Sequence, residues 1–260
     1  MKKIYLSHMS WPEVKNAIND KPVILIPVGS NEAQNLHNPT GYDHLIAQRL
    51  AEESAKKSNS LIIPVLPFGY SEIFKSFPGT ITLRSNTLRM VFEDIADSLI
   101  RTGFTNLLFI NNHGPNHAPL GHALDKIREE HGIVCASMCP TTIARELAQD
   151  VFENPVGVLN HGNEPSTSLL KYLYPELIRT DLIKDTSKLG KLHNFEIASP
   201  LTLYHEGQKI PIFLRVSDVS KQGGWGKIEG SLEKGKIIFD RMVNFIVSFV
   251  EKYQKFDTHI

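Results

Sequence analysis

Apolar residues along the chain fall into two alternating patterns. Short, nearly unbroken apolar runs at Val23 to Val28, Leu61 to Leu66, Leu107 to Ile110 and Ile133 to Met138 read as buried strands. Between them, Tyr42 to about Lys57, Asn86 to Arg101 and His117 to Glu130 carry apolar residues at helical spacing. Ahead of the first strand, Ser10-Trp-Pro-Glu13 has the Ser-x-x-Glu spacing of a capping box with a proline in the first turn, so a short helix is expected there. Strands separated by helices of this length pair in parallel through right-handed crossovers. The pattern therefore predicts an α/β fold of three layers, αβα, with a mostly parallel central sheet covered by helices on both faces.

Further on, a turn-rich stretch from Asn154 to Ser166 leads into a helix through about Tyr172, and Leu232 to about Tyr253 forms a long amphipathic helix. Residues 185–230 are less periodic, and Gly223-Gly224-Trp225-Gly226 reads as an irregular loop. No repeat and no Pro- or Ser-rich linker divides residues 1–260, so one domain is expected. With 41% hydrophobic and 22% charged residues, the chain sits near the soluble globular average and away from collagenous, low-complexity and disordered classes. The 28 Lys and Arg balance the 28 Asp and Glu, leaving no net charge to drive binding to nucleic acid or an anionic membrane. The N-terminal segment turns polar before a secretory apolar core can develop, and no apolar run is long enough to span a bilayer; a cytoplasmic location is expected. Cys135 and Cys139 match neither a CxxC nor a four-ligand pattern, which favours reduced thiols over a disulfide or structural zinc.

The 11 histidines change the picture, because some stand beside carboxylates at the ends of expected strands. Residues 27–44 follow the first strand and bring Glu32, His37, Asp43 and His44 to a strand end, where ligands gather in open α/β sheets; a solvated loop is the plainer alternative. Residues 107–119 put Asn111, Asn112, His113 and Asn116 around Gly114 at a second strand end, and His113 can offer an imidazole nitrogen to a metal held by carboxylates. His117 and His122 fall in the following helix as surface residues. In residues 158–170, His161 and Glu164 are three apart and face one cavity if the helix has begun; ordinary N-terminal capping explains the same residues, and taken singly this cluster favours capping. Together the three clusters supply a divalent-metal hydrolase, with no Walker loop, GxGxxG or GxSxG nucleophile elbow.

In order and spacing, these segments resemble the creatininase family of metal-dependent amidohydrolases. That family shows a GSxEQHGPHLPxxTD segment, then FPGT, NGHGGN and HAGxxETS. The counterparts here are Gly29-Ser-Asn-Glu-Ala-Gln-Asn-Leu-His-Asn-Pro-Thr-Gly-Tyr-Asp43, Phe77-Pro-Gly-Thr80, Asn111-Asn-His-Gly-Pro-Asn116 and His161-Gly-Asn-Glu-Pro-Ser-Thr-Ser168, with Leu232-Glu-Lys-Gly235 resembling the closing segment. The resemblance implies that Glu32, Asp43 and His113 are metal ligands, with Asp43 at the family's bridging position between two metals. Gln34 replaces a ligand histidine, Ser166 replaces the Glu of ETS, and Pro115 stands where a small or acidic residue is usual.

A neutral amide and a hydroxyl are poor substitutes for imidazole and carboxylate, so one divalent ion per chain is expected, zinc, manganese or iron, with Gln34, His37 and Glu164 as auxiliary groups. The family's use of the third segment points to Glu164 or His161 as proton carrier, with His37, Asn116 and Trp225 placed to touch substrate. Trp225 serves equally well as part of a lid or as a packing residue. The implied reaction is attack of metal-activated water on a carbonyl of a small polar cyclic substrate, with ring opening of an oxidised inositol, or binding without turnover, as alternatives. A homo-oligomer, hexameric in the family, is implied by the resemblance alone.

Overall fold

A computed structural model of the chain describes residues 3–153, 155–184 and 189–259. The first half runs α1 (Trp11–Ala17), β1 (Val23–Val28), α2 (Tyr42–Lys57), β2 (Ser60–Ile62), α3 (Ser85–Thr102), β3 (Leu107–Asn111), α4 (His117–His131) and β4 (Ala136–Met138). Ahead of α1, the Ser10 backbone N–H donates to Glu13 Oε2 at 2.7 Å, as a capping box requires. The four strands form a parallel sheet in the order β2-β1-β3-β4. The second half adds α5 (Pro140–Leu147), α6 (Pro155–Val158), α7 (Ser166–Leu173), β5 (Lys191–Leu192), β6 (Phe195–Ser199), β7 (Thr202–His205), β8 (Gln208–Pro211), α8 (Val216–Val219) and α9 (Leu232–Tyr253).

Strand alternation divides the core between two faces. Val23, Leu25, Leu108 and Ile110 pack with Ile46 and Leu50 of α2 and Ile238 and Met242 of α9. Ile24, Ile26, Leu107 and Phe109 pack with Leu88 and Phe92 of α3 and Leu120 and Ile127 of α4. A strand covered on both faces has no polar side, which is why β1 reads as an unbroken apolar run. The three-layer αβα architecture follows.

Three boundaries differ from the sequence reading. The run from Leu61 leaves the ladder after Ile62, because Pro64 has no N–H to continue it, and Leu66 rejoins Val28 through one isolated bridge. Only Ala136–Met138 of the run beginning at Ile133 pairs with β3; Ile133 instead bridges His259 in the antiparallel sense. The aperiodic stretch, of which residues 185–188 lie outside the described residues, contains a four-stranded antiparallel sheet in the order β5-β6-β7-β8. Its strands are short and largely half-buried or exposed, so no alternation of apolar and polar positions marks them. The β7–β8 turn is Glu206-Gly207, both at positive φ (48° and 77°), without the Asn-Gly pair that advertises such a turn. Helices α5 and α6 were also not marked by periodicity; the sequence reading began its turn-rich stretch at Asn154, which lies outside the described residues. Among the described residues, no helix is long and apolar enough to cross a membrane.

Candidate metal centre and active site

The carboxyl ends of β1 and β3 lie side by side, Val28 paired with Asn111, and the loops leaving them carry the chemistry. Gly29 takes the chain past the first turn of α2 so closely that a Cβ there would stand 2.3 Å from the His44 backbone nitrogen. That approach sets Asp43, in the first turn of α2, beside the strand end, where free helical N–H groups favour a carboxylate.

Ser30 Oγ donates to Asp43 Oδ2 at 2.6 Å, and His113 Nδ1 lies 2.9 Å from the same oxygen. His113 Nε2 lies 3.0 Å from the Tyr70 carbonyl oxygen, which can only accept, so Nε2 carries a proton and Nδ1 is left to face the carboxylate. Glu32 completes the group: its Oε2 is 3.5 Å from His113 Nε2 and is buried without a hydrogen-bond partner. One donor atom from each of Glu32, Asp43 and His113 lies within 4.8 Å of the others, and all three residues are buried. Burial, reinforced by the Asp43 charge and opposed by His113, lifts the Glu32 carboxyl above the usual carboxylate range. Burial alone would lower His113, but Glu32 and Asp43 outweigh it and hold the imidazole above its usual range. Two buried carboxylates, one orphaned oxygen and an imidazole whose far nitrogen is anchored on a carbonyl form a donor set that fits a divalent cation.

Around this triad lies an open cavity of about 280 Å³. His161 stands at its wall, with Nε2 donating to the Ala33 carbonyl oxygen at 2.9 Å and lying 4.0 Å from Glu32 Oε1. Burial holds this imidazole at about 4, so it is neutral at physiological pH. Its ring lies between Phe74 (centroids 4.4 Å apart) and Trp225 (5.6 Å, planes at 26°). Trp225 belongs to a loop pressed onto residues 33–35 and 161: a Cβ on Gly224 would lie 2.8 Å from Asn35 Cβ. In this structure Trp225 is a packed wall of the cavity. Gln34 also lines the cavity, with its amide nitrogen 3.5 Å from Glu32 Oε1.

Two residues expected to touch substrate have other work. Asn116 is fully buried and its amide is spent on the protein: Nδ2 donates to Gly29 O (3.0 Å) and Asn111 Oδ1 (3.1 Å), and Oδ1 accepts from Tyr70 N (2.8 Å). It braces the two strand-end loops. His37 is packed against Thr167, Nε2 to Oγ1 at 2.9 Å, outside the lining of the cavity.

Glu164 lines the cavity together with His161, although α7 begins only at Ser166. Its carboxylate, however, caps that helix: Oε2 accepts from Ser168 Oγ at 2.6 Å and Ser168 N at 3.2 Å. One oxygen of the carboxylate is thus held by α7, while Oε1 is buried without a hydrogen-bond partner. Burial lifts the carboxyl from 4.5 to about 7, against the Ser168 donors and the charges of Lys171 and Lys234. A folded value above the unfolded one means that the native state binds more protons between the two, so this group's contribution to stability is lost as pH rises from about 4.5 to about 7. Glu164→Gln is therefore expected to flatten the pH dependence of urea unfolding, gaining about 2 kcal/mol relative to wild type between about pH 5 and about pH 8. Parallel wild-type and variant profiles would rule out Glu164 as the source.

Spacing arguments missed Tyr42, Thr141, Arg145 and the Ser199-Pro200-Leu201 corner, all of which line the cavity. Tyr42 reads as one more core position of its helix, and the others belong to elements the periodicity did not mark.

A family model described as creatinine amidohydrolase matches residues 7–250. The chain belongs to the creatininase family. This creatininase-family chain is 27% identical over 202 residues to a creatinine amidohydrolase of Pseudomonas putida, covering 71% of this chain and 77% of that protein. It is 24% identical over 206 residues to a 3-dehydro-scyllo-inosose hydrolase of Thermotoga maritima (78% and 66% covered). It is 26% identical over 244 residues to a mycofactocin precursor peptide peptidase of Mycobacterium ulcerans (89% and 86% covered). A crystal structure of creatinine amidohydrolase superposes with a TM-score of 0.83 at 21% identity, covering 99% of this chain and 100% of that one, so the creatininase fold is shared.

Proposed function

We propose that the chain is a hydrolase that holds one divalent ion on Glu32, Asp43 and His113 and cleaves the C–N bond of a small polar cyclic amide. The observation that carries this reading is the buried triad, with three donor atoms within 4.8 Å and one carboxylate oxygen unpartnered. Zinc, manganese or iron suits a set of two carboxylates and one imidazole. A bound ion supplies carbonyl polarisation and a water of lowered pKa. Gln34 serves as an auxiliary group beside Glu32. Gln34 and Ser166 hold the positions where the family pattern has its further ligand groups, which supports one ion per chain. The family resemblance also supports a homo-oligomer.

His161 is the chain's own proton carrier in this reading. Its Nε2–H is committed to Ala33, its ring is neutral, and Nδ1 has no hydrogen-bond partner among the described residues, so Nδ1 takes a proton from attacking water and returns it to the leaving nitrogen. His161→Ala is expected to lose about 100-fold in rate with metal content unchanged. An unchanged rate would remove His161 from the mechanism.

A second reading, ring-opening C–C hydrolysis of a keto-inositol, is favoured by the resemblance to the inosose hydrolase. The peptidase relatives widen the range of amides to be tried. The deciding experiment incubates metal-loaded protein with creatinine, other lactams, a keto-inositol and a short peptide, with products read by mass spectrometry. Turnover of a cyclic amide is expected. Turnover of the keto-inositol alone gives the second reading, and metal uptake without turnover of any compound leaves a binding module.

A further inference from the structure

The cavity beside the triad holds two hydrogen-bond donors that the protein does not use. Tyr42, the first residue of α2, is 2% exposed, and its hydroxyl has Ser166 and Asn112 beside it yet closes no hydrogen bond. Arg145, exposed on α5, lines the same cavity and forms no hydrogen bond through its guanidinium and no ion pair with any described residue. It shares that lining with Glu32, Asp43 and His113, which places it on the triad side of α5. Of the other arginines, Arg49, Arg89, Arg101, Arg179, Arg215 and Arg241 each pair with a carboxylate, and Arg84 and Arg128, which pair with none among the described residues, lie outside the cavity lining.

Neighbouring donors are already committed. Thr141 Oγ1 donates to Asn112 Oδ1 (2.8 Å), Asn112 Nδ2 to Asp43 O (3.3 Å) and His161 Nε2 to Ala33 O (2.9 Å). Charge tells the same story. Glu32 and Asp43 would balance a divalent ion, one oxygen of the Glu164 carboxyl accepts from Ser168 with Lys171 and Lys234 acting on the group, and Arg145 is left as the one Arg or Lys in the lining. A guanidinium fork and a phenol, both lacking acceptors, are matched by an anionic oxygen group.

We propose that the substrate is a monoanion: a small carbonyl compound bearing a carboxylate that Arg145 and Tyr42 hold while its carbonyl faces Glu32, Asp43 and His113. This names the substrate class for the hydrolase reading above and rests on that reading for the role of the carbonyl. Specificity then comes from the carboxylate, because a neutral analogue offers Arg145 no charge to pair with and leaves the buried Tyr42 hydroxyl unpaired.

The test is calorimetric titration with two matched pairs that differ by one carboxylate: pyroglutamate against pyrrolidinone, and N-acetylglycine against N-methylacetamide. Wild type is expected to bind the charged member of at least one pair about tenfold more tightly. The preference is expected to shrink to about twofold or less in Arg145→Gln and to recover in part in Arg145→Lys, while Tyr42→Phe weakens the charged member about threefold and leaves the neutral one unchanged. Equal affinities within both pairs, an undiminished preference in Arg145→Gln, or no charged member binding below about 10 mM would overturn the proposal. Titrations run with and without added metal separate the two readings. A charge preference in a protein that takes up no metal sinks the hydrolase and leaves the anion site, whereas metal uptake without charge preference does the reverse.

Discussion

In Asp43→Ala, metal content is expected to fall from about one ion per chain to less than about a tenth, and hydrolysis with it. Asp43 Oδ2 is the atom on which the centre converges, receiving the Ser30 hydroxyl at 2.6 Å and facing His113 Nδ1 at 2.9 Å. Removing it leaves His113 without its partner and Glu32 as the sole carboxylate of the triad. Partners that merely orient metal ligands are worth about 10- to 100-fold in affinity, and a ligand itself is worth more. Because an ion bound only by the native state stabilises it, a metal concentration of about a thousand times Kd adds about 4 kcal/mol, or roughly 10 °C in Tm for a chain of this size. Chelation should lower the wild-type Tm by that much and leave the variant's Tm unmoved. Elemental mass spectrometry and a thermal scan read both effects, and a variant that retains its full metal content would sink the assignment.

Gly235→Ala is expected to be the most damaging single substitution away from the metal centre. Where α9 crosses α7, a Cβ on Gly235 would stand 1.9 Å from the Ser168 carbonyl oxygen and 2.5 Å from its carbon. Both are backbone atoms, so the helices must separate, and α9 carries Ile238, Phe239, Met242, Val243 and Ile246 into the core. The gain in helix propensity, about 1 kcal/mol, is small beside the overpacking, and a net loss above about 3 kcal/mol is expected, seen as a Tm lowered by roughly 10 °C or as insoluble protein. Gly121→Ala in α4 is the control: the position is exposed with nothing within 4 Å of an added Cβ, so the same exchange should stabilise by about 0.5–1 kcal/mol. Equal effects at the two sites would show that the α7–α9 contact is not tight.

The parallel sheet and the two loops that carry the triad were legible in the sequence for one physical reason, that both are written in short runs of contiguous residues, while the family resemblance singled out Glu32, Asp43 and His113 within those loops. Strands buried on two faces announce themselves as apolar blocks, and the Glu32-to-Asp43 loop and His113 follow two such blocks directly. Roles that depend on where a side chain turns were not legible. Asn116 looks like a substrate contact in sequence, yet a buried amide braces main chain just as well. The spacing of His161 and Glu164 says nothing of the Ser168 donors that claim one oxygen of the carboxylate. Tyr42 counts as an apolar core position until its hydroxyl is found without a partner. Arg145 sits on a short helix between a strand and a turn, where no long-range pattern exists to find it.

Glu32, Asp43 and His113 come from the ends of the parallel sheet, whereas Ser199, Pro200 and Leu201 at the turn joining β6 and β7 contribute part of the cavity lining. Part of the cavity's outline is thereby carried on a different stretch of chain from the triad. Drift in the antiparallel meander changes which molecules reach the triad without loosening Glu32, Asp43 or His113. A scaffold divided in this way can acquire a new clientele by revising one corner, its reactive centre passing unaltered from one descendant to the next.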